Sequence, residues 1–382
     1  ESGKSQQMSR DLAISEYRSR FGEDPRWLSF APGRINLIGE HTDYTGGFVF
    51  PAAIQLGITV AAGPADGRTE LWSAELDEGQ TFDATVSGGD SPEGWAKYPW
   101  AVTQAMGGRP NIRAFVTSDL PMASGVSSSA ALEVAFANIY NAMDGGGRTP
   151  TEIALLGQRA ENDYVGVRCG IMDQMASACG VEGHALLIDT RSLERTPIPL
   201  PEGVRIVLCE TGSPRELATS AYNTRRQELE VAEQELGKSL RDCTISDLPS
   251  VTDYGSKVWI LRARHVISEN RRTLAFRKAL EVVDREAIFH LMQESHESMR
   301  QDFAASSEPQ DAMAQAAWQS PGVWGARITG GGFGGACVAL VDQSKVDEFC
   351  MRCEQMFRSL VKGHRPTFVV CSASRGAGLI DL

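Results

Sequence analysis

The sequence has no apolar run close to the roughly 20 residues that a membrane-spanning helix requires, and residues 1–10 lack the apolar stretch of a secretory signal. It is also poor in cysteine, with 8 in a chain of 382 residues. So few cysteines in so long a chain do not resemble a disulfide framework, and reduced thiols are expected. These absences predict a cytoplasmic protein that is not embedded in a membrane.

Positive charge is in deficit. The 37 Lys and Arg residues oppose 49 Asp and Glu residues, which gives a formal net charge of -12. The overall field therefore favours neither nucleic acid nor an anionic membrane as a partner, although a local basic pocket for phosphate is compatible with it. A small-molecule partner is expected. The charge, together with the lack of a large apolar run, favours a monomer.

Cys350 and Cys353 form a C-x-x-C pair inside residues 346–357, where apolar residues recur at helical spacing. A zinc site would need further ligands at suitable spacing, and the 6 histidines are scattered without a second such pair. The pair is therefore predicted to lie on the buried face of a helix, and no structural metal site is expected.

The length predicts about two domains, and the sequence pattern changes near residue 200. From residue 27 to 200, β-like and helical runs alternate, whereas helices dominate beyond it before strand composition returns. The Pro-rich segment 196–201 is the candidate boundary. The predicted strands are 57–62, 112–116, 204–209, 336–341 and 367–371, and the predicted helices are 130–143, 217–240, 262–283 and 286–303.

Residues 120–132, LPMASGVSSSAAL, place a loop of small residues between the predicted strand 112–116 and a helix. Small residues let backbone N–H groups approach a phosphate, and the helix start adds unpaired donors and a partial positive charge. Three consecutive hydroxyls, Ser127 to Ser129, are available to a nucleotide or its magnesium. The alternative is that the serines cap the helix and the small residues only allow close packing. The lysine of the Walker phosphate loop is absent, so this is not that common motif.

A second glycine-rich run, residues 328–336, precedes a predicted strand rather than a helix. This order argues against a Rossmann dinucleotide site. The glycines indicate unusual backbone angles or a close approach to another backbone or a ligand, or else a tight structural turn.

Residues 31–47 place a cation, an imidazole and two carboxylates around a short apolar stretch. These side chains are Arg34, His41, Glu40 and Asp43. Such donors and acceptors suit a polyhydroxylated ligand, because each hydroxyl needs a partner. A metal site through Glu40, His41 and Asp43 stays open, although consecutive positions on a turn rarely converge on one ion, and so does an ordinary polar loop.

Three motifs give the sequence a family resemblance. Residues 33–44, GRINLIGEHTDY, resemble the galactokinase signature; residues 120–132 resemble the ATP motif of the GHMP kinases, and residues 329–336 resemble their third motif. Three shorter segments also resemble galactokinases: residues 169–174, 183–189 and 220–226. Motifs in the correct order are far more specific than a single glycine-rich loop.

The resemblance implies an α+β protein with the two-domain GHMP kinase fold. An N-terminal α/β domain at residues 11–200 and a C-terminal ferredoxin-like α+β domain at residues 201–382 would face each other across the active site. The implied activity is an ATP-dependent kinase, with Mg²⁺, that converts D-galactose to galactose 1-phosphate at the anomeric hydroxyl.

By matching position, the resemblance implies roles for single residues. Asp173 would be the catalytic carboxylate and Arg34 its electrostatic partner, which favours the ionised carboxylate; a buried structural salt bridge is the blander role for the pair. The residues implied to hold the sugar are Arg34, Glu40, His41, Asp43, Gly170, Asp173 and Tyr222. Those implied to bind ATP are Trp95 on the adenine side and Ala123, Ser124, Gly125, Val126, Ser127, Ser128 and Ser129 around the phosphates. Ser129 and Glu161 would hold magnesium.

Two alternatives share these motifs. One is a related sugar 1-kinase acting on N-acetylgalactosamine, L-arabinose or a uronic acid, although Glu40 would repel a uronate carboxylate. The other is a galactose-sensing regulator without turnover, which the unbroken stretch 127–131 and the presence of Asp173 and Arg34 disfavour.

The sequence departs from the family pattern in two segments. Lys97 stands where Asn is usual, with Pro99 soon after, so a reshaped adenine-side loop is expected near Trp95. In residues 304–311 the usual Cys-Pro-Glu-Leu-Asp order is altered, which puts the local helix packing in doubt but touches no predicted catalytic residue.

Overall fold

The computed structural model describes residues 2–121, 125–213, 218–250 and 257–382. The α-helices are α1 (Ser2–Phe21), α2 (Lys97–Ala105), α3 (Ser128–Met143), α4 (Pro150–Ala160), α5 (Met172–Cys179), α6 (Ala218–Leu236), α7 (Val258–Glu281), α8 (Arg285–Gln301), α9 (Glu308–Trp318) and α10 (Val346–Leu360). The strands are β1 (Trp27–Asn36), β2 (Phe48–Val49), β3 (Pro51–Pro64), β4 (Thr69–Ser73), β5 (Glu78–Phe82), β6 (Ile112–Ser118), β7 (His184–Asp189), β8 (Arg195–Pro199), β9 (Val204–Glu210), β10 (Val323–Ile328), β11 (Ala336–Asp342), β12 (Thr367–Cys371) and β13 (Gly378–Leu379).

The first sheet has six strands in the order β13-β1-β3-β6-β4-β5, and all neighbours are antiparallel except β4 and β6. Helix α1 covers one face, where Ala13 and Tyr17 pack against Leu28 and Phe115. Helix α3 packs on β1 and β3 and adds Phe136 to the main core. Strands covered on both faces have near-continuous apolar sequences, which is why residues 57–62 could be predicted as a strand.

The second sheet has four antiparallel strands in the order β10-β11-β9-β12. With helices α6 to α9 after its first strand and α10 before its last, this is the ferredoxin-like topology. Alternate residues of β9 point to opposite faces. Val207 and Cys209 join the core covered by α9 and α10. Ile206 and Leu208 join the main core, which also contains Ile288 and Met292 of α8, so the other face of this sheet packs on α8.

The third sheet is β2-β7-β8. Most of the Pro-rich segment 196–201 lies in β8 at the edge of this sheet, where a missing N–H interrupts no ladder. The last strand, β13, returns to the first sheet beside β1, and α1 begins before residue 11. The domain limits 11–200 and 201–382 stay a prediction.

The strands and helices predicted from the sequence are present, with shifted ends. Helix 217–240 ends earlier, at Leu236, because Gly237 takes a left-handed conformation with φ of 67°. Cys353 is buried in α10, as predicted, while Cys350 is partly exposed. Among the described residues, no helix is both long and apolar enough to cross a membrane.

Candidate active site

A cavity of about 410 Å³ opens where β1, the starts of α3 and α5, and the loop after β10 meet. Most of the predicted site residues line it. They are Arg34, Glu40, His41, Asp43, Gly125, Val126, Ser127, Ser128, Ser129, Glu161, Gly170, Asp173 and Tyr222. Ala123 and Ser124 lie outside the described residues, and Trp95 does not line the cavity.

The Arg34–Asp173 ion pair joins the glycine-serine loop to the start of α5. Arg34 Nε donates to Asp173 Oδ1 at 2.8 Å, and Arg34 Nη1 donates to the Gly125 carbonyl at 2.6 Å. The Ser127 hydroxyl donates to Asp173 Oδ2 at 2.5 Å. The Arg34 side chain is 5% exposed and that of Asp173 31%. The carboxylate is therefore the more exposed member of the pair, although both side chains line the cavity.

A β-bulge in β1 brings Arg34 close to this loop. The pairing of β1 with β3 shifts register between Pro32 and Arg34, and Arg34 N donates to Val126 O at 3.0 Å. Gly33 permits the close approach, because a Cβ there would lie 2.6 Å from Leu120 Cδ2 and 2.8 Å from Val126 O. The bulge and the glycine together fasten the loop to the strand.

Helix α3 begins at the cavity behind Ser127. Ser127 is its N-cap and has a left-handed backbone, with φ of 62° and ψ of 52°, which is uncommon outside glycine. Its hydroxyl bonds Asp173 and does not cap the helix, so the interpretation of this serine as a mere cap is wrong. The first-turn N–H groups, which have no intrahelical partners, make this end suitable for an anion.

Glu161 and Ser129 face each other at the end of α4, with Ser129 Oγ 3.5 Å from Glu161 Oε1. The buried Gln174 amide donates from Nε2 to Glu161 Oε2 at 2.8 Å and to Glu133 Oε2 at 3.0 Å. Burial, and then the nearby Asp173 carboxylate, raise the pKa of Glu161. Hard oxygen donors with excess negative charge are the chemistry that Mg²⁺ prefers, so these residues fit that ion.

Glu40 lies in the loop after β1 and is fully buried apart from the edge that meets the cavity. Glu40 Oε1 accepts from Gly330 N at 2.8 Å and from Arg327 Nη1 at 3.3 Å. Burial raises the pKa of Glu40, and the Arg327 guanidinium opposes this shift. The second glycine-rich run, residues 328–336, therefore supports this carboxylate through the backbone N–H of Gly330.

His41 contributes ring surface to the cavity rather than a free nitrogen. Burial lowers its pKa to about 3, so the imidazole is neutral. Nε2–H donates to Gly331 O at 2.9 Å, and Nδ1 then accepts from the Tyr44 hydroxyl at 2.8 Å. The ring also lies 5.3 Å from that of Tyr222. Because neither nitrogen is available, the alternative of a metal site in this loop fails.

Gly170 lies directly against Asp43. A Cβ at position 170 would overlap the Asp43 carboxylate, whose Oδ2 accepts from Met172 N at 3.4 Å. Burial, and then the neighbouring Asp173, raise the pKa of Asp43 to about 6. Glycine at 170 is therefore what allows this carboxylate to lie in the cavity wall.

Comparison with known proteins shows the family to which this chain belongs. Residues 15–64 match the galactokinase galactose-binding signature, and residues 97–181 and 276–358 match the GHMP kinase N-terminal and C-terminal domains. Galactokinases of Chloroflexus aggregans and Haemophilus influenzae are each 40% identical over 371 residues, covering 94% and 93% of this chain and 95% of each relative. This chain belongs to the galactokinase family. The crystal structure of Lactococcus lactis galactokinase complexed with galactose superposes with a TM-score of 0.88 at 32% identity, over 95% of this chain and 98% of that chain.

As a member of the galactokinase family, the chain is a sugar kinase with the two-domain GHMP kinase fold. The family, the fold class and the kinase activity predicted from the sequence are therefore confirmed. Residues 33–44, which carry the galactokinase signature, border the cavity together with the loop at 125–129. The roles of the single residues stay predictions.

Trp95 is the predicted site residue that the structure does not bring to the cavity. It packs partly buried against the N-terminal core, and its indole Nε1 has no hydrogen-bond partner among the described residues. Tyr98 lines the cavity instead. At the departure from the galactokinase pattern, Lys97 begins α2 and its Nζ donates to Val165 O at 3.1 Å. Pro99 lies in the first turn of α2, where its missing N–H breaks no helical hydrogen bond.

Some cavity residues have no role predicted from the sequence. They are Tyr98, Pro121, Val167, Cys169, Met172 and Gly331. Two of them could have been proposed from the sequence, because Cys169 and Met172 lie within two residues of Gly170 in the segment 169–174. The altered segment 304–311 forms a regular helix start, in which Ser307 and Gln310 make a capping box for α9.

Galactose affinity is expected to fall as the pH drops through about 6. The Asp43 carboxylate, whose pKa is raised to about 6, accepts hydrogen bonds from hydroxyls when ionised. Below that pH each galactose bound must displace a proton, so Kd rises by up to about tenfold per pH unit. Isothermal titration between about pH 7 and pH 5 measures this without the catalytic step.

The variant Asp43→Asn separates this group from Glu40, whose pKa is also raised. We expect weaker binding whose remaining pH dependence is nearly flat. An unchanged acidic limb in Asp43→Asn would assign the titration to Glu40, and a constant Kd in the unmodified chain would contradict the prediction.

Proposed function

We propose that this chain transfers the γ-phosphoryl group of ATP to the anomeric hydroxyl of D-galactose, giving galactose 1-phosphate and ADP. The observation that carries the proposal is the place of the Asp173 carboxylate. It contacts the phosphate loop through Ser127 and lies near Asp43 of the galactose signature. A carboxylate between these two regions can take the proton of an attacking hydroxyl.

In this proposal the sugar is held by Tyr222 and by residues of the signature loop, which is the loop at residues 37–47 between β1 and β2. Glu40 and Asp43 accept hydrogen bonds from sugar hydroxyls, while Gly170 leaves the room that Asp43 needs. His41 and Tyr222 supply ring surface around the sugar. The carboxylates in the cavity wall favour a neutral sugar over a uronic acid.

The transfer needs one proton acceptor and a site for the phosphates. The anomeric oxygen attacks the γ-phosphorus, its proton passes to Asp173, and the bond to the bridging oxygen of ADP breaks. Arg34 keeps the Asp173 carboxylate oriented at 2.8 Å and adds positive charge beside the developing alkoxide. Gly125, Val126, Ser127 and Ser128, with the start of α3, hold the phosphates, as do Ala123 and Ser124 by their place in the motif.

Ser129 and Glu161 would hold magnesium, which would supply positive charge to offset that of the phosphates. Glu161→Gln is expected to raise the Mg²⁺ concentration for half-maximal activity by at least about tenfold, because a neutral amide is a weaker ligand for a hard cation. Paramagnetic Mn²⁺ binding to the nucleotide complex gives a second readout independent of turnover.

Asp163→Asn is the matched control for Glu161→Gln. Asp163 is exposed two positions further along the same turn and faces Arg159. The Asp163→Asn variant should leave the Mg²⁺ requirement unchanged. A normal Mg²⁺ requirement and normal Mn²⁺ binding in Glu161→Gln would remove Glu161 from the metal site.

The proposal is tested by ATP consumption with Mg²⁺ against D-galactose, D-glucose, N-acetylgalactosamine, L-arabinose and D-galacturonate. Phosphorus NMR identifies the product. Turnover on galactose alone, with the phosphate on the anomeric oxygen, is expected. Preferred turnover on another sugar would assign the chain to a related sugar 1-kinase. Binding of galactose and ATP without turnover would indicate a sensing regulator.

We also propose that the chain acts as a monomer in the cytoplasm. All eight cysteines are free thiols, which suits a reducing compartment, and a net charge of -12 opposes self-association. Light scattering coupled to size-exclusion chromatography tests the first statement, and fractionation of the source cells tests the second.

A further inference from the structure

The groups that hold Glu40 in place come from the C-terminal half of the chain. Its Oε1 accepts from Arg327 Nη1 at the end of β10 and from Gly330 N in the loop that follows. Its carbonyl oxygen accepts from His265 Nε2 at 3.1 Å, and its backbone N–H points at Glu269 Oε1 at 3.4 Å. A residue of the signature loop is thus fixed at both side chain and backbone by distant segments.

Glu269, on α7, holds the backbone on the N-terminal side of Glu40. The buried carboxylate accepts from Gly39 N at 2.9 Å, from Ser295 Oγ at 2.6 Å and from Arg272 Nε at 2.7 Å. Burial alone would raise the pKa of Glu269, but Arg272, together with His265, lowers it below its ordinary value. Glu269 is therefore a buried anion whose oxygens are used to hold the backbone of the signature loop.

The backbone at Gly39 has little freedom to move away. Gly39 has φ of 91°, and a Cβ there would lie 2.6 Å from Phe48 O. The hydrogen bond from Gly39 to Glu269 therefore fixes the peptide that leads directly into Glu40. A shift of this peptide would move the Glu40 carboxylate out of the cavity wall.

Arg327 is another C-terminal group that holds Glu40, through the Glu40 side chain. Its side chain is 0% exposed, and within the described ranges its hydrogen bonds go from Nη1 to Glu40 and to the Asn36 carbonyl at 3.4 Å. Nε and Nη2 have no hydrogen-bond partner among the described residues. A buried cation so poorly supplied with acceptors depends on the Glu40 carboxylate, and the carboxylate depends on it.

We propose that Arg327 and Glu269 are positioning residues that set the galactose affinity of the cavity by holding Glu40. Neither lines the cavity, so both act through that carboxylate. The inference rests on the proposed role of Glu40 in sugar binding. It predicts that the two residues affect sugar affinity and leave nucleotide affinity unchanged, because the phosphate loop has separate supports at Arg34 and Asp173.

The test compares Arg327→Met, Arg327→Lys, Glu269→Gln and Glu40→Gln by isothermal titration with galactose and, separately, with a non-hydrolysable ATP analogue. Arg327→Met should raise the galactose Kd roughly 10- to 100-fold, and Glu269→Gln roughly tenfold. Arg327→Lys keeps the charge and should recover part of the affinity. The nucleotide Kd should stay within about twofold in every variant.

A double variant separates positioning from general damage to the fold. In Glu40→Ala/Arg327→Met the galactose Kd should be no higher than in Glu40→Ala alone, because alanine leaves Arg327 no side-chain oxygen to hold. Additive losses would overturn the inference. Arg109→Met is the matched control: Arg109 is a partly buried arginine paired with Asp144, and its loss should lower the melting temperature without changing galactose affinity.

The remaining outcomes distinguish this inference from the proposed function. If Glu40→Gln binds galactose normally, the proposed sugar site is wrong and the inference falls with it. If Glu40→Gln binds weakly while the Arg327 and Glu269 variants bind within about twofold of the unmodified chain, only the inference is overturned. Should Arg327→Met not fold, Arg327→Lys and Glu269→Gln decide by the same criterion.

Discussion

Asp173→Asn is expected to lower kcat for galactose phosphorylation by roughly 10²- to 10⁴-fold, the range of a lost general base. The amide oxygen can still accept from Arg34 Nε, and the amide NH₂ can donate to the Ser127 hydroxyl oxygen, so the arrangement of the loop should survive. It cannot accept the proton of the sugar hydroxyl. Both Kd values, for galactose and for the ATP analogue, should therefore change far less than kcat.

ADP release under saturating substrates measures this effect, and titration of each ligand measures the binding. Asp66→Asn, at an exposed loop position, is the control for the same chemical change and should be neutral. A variant Asp173→Asn with kcat within about tenfold of the unmodified chain would show that another group takes the proton. The Arg34–Asp173 pair would then be a structural salt bridge.

The cavity residues could be predicted because each motif is a local run. Residues that are adjacent in sequence, such as Gly125 to Ser129, remain adjacent in a loop, so a resemblance over that run carries its geometry with it. Glu161 and Asp173 come from separate helices, yet each was placed by a position within a family pattern. The order of the motifs along the chain specified the fold class in the same way.

The residues that support the cavity could not be predicted from sequence. Helix α7 buries His265, Glu269 and Thr273, spaced four residues apart, on one face. Apolar residues at that spacing would reveal a buried stripe, but polar residues hide it. The peptide that Glu269 holds lies 230 positions away along the chain, and no local pattern connects the two. Burial of a carboxylate is a property of the assembled fold.

Trp95 and Ser127 show a second reason why parts of the site could not be predicted from the sequence. The resemblance supplies the identity of a residue but not the path of the backbone around it. At Trp95 the neighbouring Lys97 starts a helix whose Tyr98, not Trp95, reaches the cavity. At Ser127 a left-handed backbone turns the hydroxyl towards Asp173, and no residue type in SSSAA signals that conformation.

Gly170→Ala is expected to raise the galactose Kd by roughly 10- to 100-fold or more, while the affinity for the ATP analogue stays nearly constant. The added Cβ would overlap the Asp43 carboxylate, and Thr42 and Thr45 on either side of Asp43 along the chain are buried. The carboxylate must rotate out of the cavity wall, so its hydrogen bonds to the sugar are lost. A methyl group alone produces this loss, because no charge is removed from the chain.

Gly147→Ala is the matched control, since a Cβ at Gly147 meets no atom within 4 Å and its backbone is not left-handed. It adds the same methyl group and should change neither the melting temperature nor the galactose Kd appreciably. Combining Gly170→Ala with Asp43→Asn identifies the route of the effect: if the methyl group acts by displacing Asp43, the double variant should bind galactose no more weakly than the weaker single variant. Normal galactose affinity in Gly170→Ala would mean that Asp43 does not contact the sugar, because no arrangement of this loop accommodates both the methyl group and the carboxylate in its present place.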